Sequence, residues 1–126
     1  MRYFRTEFLS GVKEFMKSID PKAVNKILYN IDLAEQTNDP CLFKKLNNNI
    51  WEFRSRYNNL QYRLLAFWDR SGATDTVVIA AHAIIKKTSK VPAKEIMKTE
   101  KVRANYFSNI KLKSYGKVKN KKIHIK

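Results

Sequence analysis

Four things are scarce in this 126-residue chain, and each scarcity removes a class of protein. There is one cysteine, Cys41, so no internal disulfide can form and a reducing compartment suits the chain. Nothing next to Cys41 in the sequence supplies a base, so an inert, partly buried thiol is expected there. No apolar run approaches the ~20 residues of a membrane span. The start, Met1-Arg2-Tyr3-Phe4-Arg5, has no signal-peptide stretch, so a soluble, cytoplasmic protein without membrane contact is expected. The two histidines, His82 and His124, are far apart and lack metal-ligand spacing, so neither a metal nor a cofactor is expected. Acidic residues number only 11 and form no motif, which argues against two-carboxylate, metal-dependent nuclease chemistry.

Positive charge is abundant. Lys and Arg total 26, giving a net charge of +15. The excess is uneven. Residues 1–40 hold six basic and six acidic side chains, residues 41–110 hold thirteen and five, and residues 111–126 hold seven lysines and no acid. Such asymmetry points to a polyanionic partner, with nucleic acid first. No segment joins a strong apolar face to the basic run, as a membrane-surface helix would.

The chain length suits one domain. Arg2–Phe8 reads as a strand. Leu9, Val12, Phe15, Met16 and Ile19 recur at helical spacing, with Ser10 as candidate cap. Asp20-Pro21 is a restart signal, with Asp20 at the cap and Pro21 in the first turn. Val24, Ile27, Leu28, Ile31 and Ala34 mark a second helix, ending before Thr37-Asn38-Asp39-Pro40. Phe43–Asn49 reads as a polar connector. Ile50–Tyr57 and Leu60–Asp69 read as strands joined by Asn58-Asn59, a pair that tolerates positive φ in a tight hairpin. Thr74–Ile85 is a further strand, and Pro92 opens a helix to about Asn109. Residues 1–110 then form the domain. Residues 111–126 are a lysine-rich tail, either disordered or adding an edge strand. The fold expected is α+β: a small, mainly antiparallel sheet with an N-terminal helical hairpin packed on one face and a C-terminal helix. The economical arrangement keeps the helices on one side and leaves the other sheet face open.

Period-2 geometry then places the charges. Glu52, Arg54 and Arg56 share one face of their strand; Trp51, Phe53 and Tyr57 share the other. Arg63 stands among Tyr62, Leu64 and Leu65, and an arginine there needs a partner or a cleft; Glu52 is the candidate orienting partner. If the strands pair in order, Arg54, Arg56, Arg63, His82, Lys86 and Lys87 converge on one concave basic surface. Arginine forks and mobile ammoniums suit phosphate, and cations aimed at a phosphorane lower its barrier. RNA brings its own nucleophile, the 2′-hydroxyl, so the protein need only orient the strand and move protons. Arg54, Arg63, Lys86, Lys87 and His82 are the candidate catalytic residues. Arg56, Lys90, Lys44 and Lys45 are candidate RNA contacts.

Three stretches carry a resemblance. Ile50-Trp51-Glu52-Phe53-Arg54 resembles "LWELR", and Tyr62-Arg63-Leu64-Leu65 resembles "YRVL". His82-Ala83-Ile84-Ile85-Lys86-Lys87-Thr88 with Pro92 and Glu95 resembles "HxFxKKTxxTPxxEI". In this order they are similar to the phage-derived, HigB-like branch of the RelE/ParE toxin superfamily, over about residues 46–107. The resemblance implies a compact toxin that enters the ribosome and cuts mRNA, and a cognate antitoxin, often a helix-turn-helix protein. It maps the family's basic active face onto Arg54, Arg63, Lys86 and Lys87, and its motif histidine onto His82. Asn49 replaces the usual glycine before the first motif, and Ile84 replaces the phenylalanine of the third. A ParE-like poison of DNA gyrase and a non-catalytic RNA- or DNA-binding module on the same fold are the alternative functions.

Overall fold

The computed structural model describes residues 1–72, 76–86 and 90–123, the last 13 of these as backbone only. The order of elements is β1 (Arg5–Phe8), α1 (Ser10–Lys17), α2 (Pro21–Thr37), β2 (Phe43–Lys45), β3 (Trp51–Tyr57), β4 (Leu60–Asp69), β5 (Val77–Lys86) and α3 (Ala93–Ile123). The fold is α+β. One five-stranded sheet runs β1-β5-β4-β3-β2, antiparallel except for the β1–β5 edge pair. Among the described residues no helix is long and apolar enough to cross a membrane.

Local chemistry explains most boundaries. Asp20 accepts a hydrogen bond from the Lys22 amide at 2.8 Å and Pro21 opens α2, so the N-terminal donors are satisfied. Asn38 closes α2 in the left-handed region at φ 54°. Asn58 and Asn59, at φ 52° and 66°, form the two-residue turn between β3 and β4. Ser10 does not cap α1. Leu9 holds the cap position and Ser10 is already helical.

Three further expectations are corrected by the fold. The segment taken as a polar connector contains β2, because Phe43 is buried against Phe53 and carries Lys44 and Lys45 into register with Glu52 and Trp51. The lysine-rich tail is neither irregular nor an edge strand as far as Ile123, because α3 runs on through it. The helices do not share one side. Val12, Ile27, Ile31 and Ala34 pack with Phe53, Leu64, Ala66, Val78 and Ala80 on the first sheet face. On the opposite face, Leu65, Phe67 and Ile79 pack with Ile96, Val102, Tyr106 and Phe107 of α3. Alternate residues of β4 thus enter opposite cores, as its continuous apolar run Leu64–Trp68 requires.

Aromatic residues bind the first face together. Phe43 stacks at 4.3 Å on Phe53 and at 4.9 Å on Trp51, and Phe4 lies 5.0 Å from Phe43. On the second face polar links fix α3. Tyr106 donates to Asp69 at 2.7 Å, the His82 ring nitrogen lies 2.7 Å from Glu95, and Glu100 accepts from Asn47 and Asn49.

Candidate nucleic-acid interface

Strand register decides which cations meet. Arg54 stands directly opposite Arg63, and Arg56 opposite Gln61; Gln61 in turn pairs with Lys86. Lys44 pairs with Glu52, and Glu52 with Leu65, whose neighbour on β5 is His82. All these side chains belong to the second sheet face, where Leu65 packs under α3 and His82 meets Glu95 of α3.

Lys86 reaches that face through an irregularity. Ala66 pairs with Ala80 but Leu65 pairs with His82, so Ala81 is an extra residue on β5. Val78 and Ala80 point into the first core. Uninterrupted alternation would send His82, Ile84 and Lys86 there too. The bulge reverses the parity and puts them beside Leu65, Arg63 and Gln61.

Glu52 is the centre of the cluster. It is 3% exposed. Its Oε1 lies 3.5 Å from Arg54 Nε and its Oε2 lies 3.4 Å from Arg63 Nε. Arg63 is also 3% exposed, and Lys86 is 6% exposed. Glu52 is therefore the partner that Arg63 needed. The pairing is incomplete: Glu52 Oε2, Arg63 Nε and Lys86 Nζ are all buried without a hydrogen-bond partner among the described residues. Arg63 donates instead to Gln61 through Nη2.

Electrostatics follow from this crowding. Burial pushes the Glu52 carboxyl above its usual range, against the pull of Arg63, Arg54, Lys86 and Lys44. Burial lowers the Arg63 guanidinium, with Glu52 opposing and Arg54 assisting. Burial also lowers the Lys86 ammonium, and the charge on Arg63 lowers it further while Glu52 raises it. Arg54, Arg56, Arg63 and Lys86 set four cations against one carboxylate. Like charges directly across a strand pair cost stability, so an anion at this face would relieve a repulsion already present.

Two clefts open beside the cluster, and Arg54 lines both. The first, about 410 Å³, is bounded by Cys41, Arg54, Ser55, Arg56, Gln61 and Arg63. The second, about 400 Å³, is bounded by Lys44, Leu46, Glu52, Arg54, Lys90, Val91 and Ile96. Cys41 is exposed, not partly buried as expected, because the turn after α2 holds its backbone on Asp39 and leaves its side chain at the cleft rim.

A family model described as Phage derived protein Gp49-like matches residues 14–104. The chain belongs to that family. The matched segment includes β2 to β5, which carry the cluster, and the start of α3, and the Gp49-like family is associated with RelE-like toxins. No curated protein and no solved structure gives a significant match.

The Gp49-like domain thus gathers most of the residues picked out by sequence. Arg54 and Arg63 lie at ion-pair distance from Glu52, Lys86 shares their face and feels the charges of Arg63 and Glu52, Arg56 joins Arg54 and Arg63 in the first cleft, and Lys44 and Lys90 wall the second. Lys45 does not join them; it pairs with Trp51, on the opposite side of β2 from Lys44. His82 lies on the right face but is held by Glu95, two registers away from Lys86. Lys87 lies outside the described residues. Gln61 was missed, and Glu95 was named only as a motif residue, with no role. Gln61 could have been found from its position two residues before Arg63 on the same strand face. The contact of Glu95 with His82 becomes visible only once α3 is docked.

Proposed function

We propose that this protein is the toxin of a type II toxin–antitoxin pair and a metal-independent endoribonuclease that cuts mRNA on the ribosome. The observation that carries the reading is the meeting of Arg54, Arg63 and Lys86 around buried Glu52 on one sheet face. In this reading the RNA 2′-hydroxyl gives up its proton to solvent as its oxygen attacks the adjacent phosphorus, and the bond to the 5′-oxygen breaks. The products are a 2′,3′-cyclic phosphate and a 5′-hydroxyl. Arg54 and Arg56, which reach solvent, take the strand. Arg63 and Lys86 form the floor, where their fields act through a medium of low dielectric on charge developing at the phosphate. Lys86 holds its proton less firmly than an exposed lysine and supplies it to the leaving oxygen. Its Nζ is shut off from solvent, so that contact forms when the strand parts what lies over it.

The net charge of +15 suits a site on the ribosome, and an acidic segment of a helix-turn-helix antitoxin would neutralise the same face. One observation favours a second reading. The burial of Arg63 and Lys86 leaves Arg54, Arg56, Lys44 and Lys90 as the accessible cations, which suffice for a module that only binds nucleic acid.

Cleavage of an mRNA programmed on ribosomes separates the two. Wild type should give defined cuts with 5′-hydroxyl ends. Lys86→Met, which preserves the volume of the stem, should abolish the cuts while still sedimenting with ribosomes and giving a wild-type circular dichroism spectrum. Wild-type binding without cuts, with or without ribosomes, ends the nuclease reading.

A further inference from the structure

The second cleft is not needed to hold one phosphate, yet it shares Arg54 with the first. Its walls are of two kinds. Leu46, Val91 and Ile96 are aliphatic and belong to the core under α3. Lys44 and Lys90 are exposed ammoniums at its edge. Apolar wall and cationic rim together match a nucleotide, whose base is a flat, largely apolar body and whose phosphate is an anion. Inorganic anions would use only the rim. A peptide would find few acceptors, since Lys44, Lys90 and Arg54 all donate and the one carboxylate, Glu52, is engaged with arginines. The wall has no aromatic ring, so the base would be held by apolar contact and not by stacking on a platform.

We propose that this cleft is a second nucleotide subsite: it takes the nucleotide next to the one in the Arg56–Gln61 cleft, with Arg54 gripping the phosphate that links them. The proposal rests on the reading of the face as an RNA site and adds to it the strand's path. The chain crosses from Arg56 over Arg54 to Lys44 and Lys90, and the shortest tightly held ligand spans both clefts. Lys44 and Lys90 are then positioning groups for the substrate. The described walls show no preference among bases, since lysine donors can meet any phosphate and aliphatic contacts fit any ring.

The test is binding, so it does not depend on cleavage. Fluorescent RNA fragments of one, two and three nucleotides, with 2′-O-methyl sugars that cannot react, are titrated by anisotropy. In the wild type, affinity should rise roughly tenfold or more from one nucleotide to two, about the worth of one added contact set of ~1.4 kcal/mol. The double variant Lys44→Ala/Lys90→Ala should lose that rise and keep wild-type affinity for the mononucleotide. A matched control, Lys22→Ala/Lys26→Ala, removes two exposed lysines from α2 across the sheet and should keep the rise. Ile96→Ser should weaken dinucleotide binding while leaving the mononucleotide alone. An unchanged rise in the Lys44/Lys90 variant, or an equal loss in the control, overturns the subsite. A wild type that shows the length dependence but never cuts RNA leaves the subsite standing and removes the nuclease.

Discussion

On the face turned to α1 and α2, β3 places Phe53 2% exposed under Phe43 and beside Leu64 and Ala66. On the face turned away, the intervening residues of the same strand are Glu52, Arg54 and Arg56, and Arg54 stands opposite another arginine. One residue apart on one backbone, the rule changes from complementary packing to crowded charge. The first face gains from every contact it makes. The second gathers four cations around one carboxylate and leaves three of their buried atoms without hydrogen bonds among the described residues. An arrangement that costs stability in the free protein is stabilised by whatever anion enters it, and such sites are where function concentrates.

The largest expected effect breaks the first face. Phe53→Ala removes a ring buried among aromatics and should cost about 3–5 kcal/mol of stability, a large share of the roughly 5–15 kcal/mol total. Urea unfolding measures it, and any RNA cleavage should fall only with the folded fraction. A loss below about 1 kcal/mol would mean the aromatic cluster is not the main support.

Breaking the second face should do the reverse. Arg54 is partly exposed, with 32% of its side chain accessible, and its ion pair with Glu52 is long, so Arg54→Ala should cost no more than about 1 kcal/mol of stability. Cleavage should drop about 10²–10³-fold, the usual loss when one charge-stabilising donor is removed. Arg63→Ala is the poorer probe, because it removes the buried partner of Glu52 and leaves that carboxylate to the partly exposed Arg54, and breaking a buried pair costs about 3–5 kcal/mol. If Arg54→Ala cuts RNA at wild-type rates, the cation face is not the reactive surface.

A smaller effect tests how the faces are kept apart. Asn58 and Asn59 both hold positive φ, where a residue with an ordinary side chain is strained by about 1–2 kcal/mol. Replacing both with alanine should destabilise the β3–β4 hairpin by about that amount per residue and loosen the register that sets Arg54 against Arg63. Asn59→Gly should be neutral or better. Backbone amide exchange along β3 and β4 would show the difference; equal protection in all three proteins would place the register elsewhere.

Much of this contrast was legible in the sequence. Alternation along Trp51–Tyr57 sorts the aromatic residues from Glu52, Arg54 and Arg56, and Asn58-Asn59 announces the turn that fixes the pairing. Arg63 advertises its need for a partner by standing alone among apolar neighbours. The fold hid what depends on distance or on a single irregular residue. Phe43–Lys45 is too short and too flanked by asparagine to read as a strand. The parallel pairing of β1 with β5 joins segments some 70 residues apart. Nothing in Ala80-Ala81-His82 signals the bulge, yet without it alternation would send Lys86 to the wrong face. The two-sided burial of β4 did leave a trace, its unbroken run from Leu64 to Trp68, which is inconsistent with one open face.

The finest contrast is between two buried carboxylates, Asp69 and Glu52, and it appears in opposite pH slopes. Burial opposes ionisation of Asp69, but hydrogen bonds from Ser71 and Tyr106 outweigh it and hold the carboxyl below its usual range. Its folded pKa is depressed, so its contribution is present above the unfolded value of about 3.9 and fades as pH falls through the folded one. Glu52 is raised by burial, so in the window above the unfolded value of about 4.3 the native state binds the extra proton. Stability there declines as pH rises toward the folded pKa. Asp69→Asn should therefore flatten the loss of stability below about pH 4 and loosen the hold of α3 through Tyr106. Glu52→Gln should flatten the decline above about pH 4.3 and leave the acid limb intact. Denaturant titrations from pH 3 to 8 resolve the two slopes. The same sign in both variants would mean that Glu52 is stabilised by its cations more than burial penalises it, and the second face would then be a settled ion cluster with no repulsion for a phosphate to relieve.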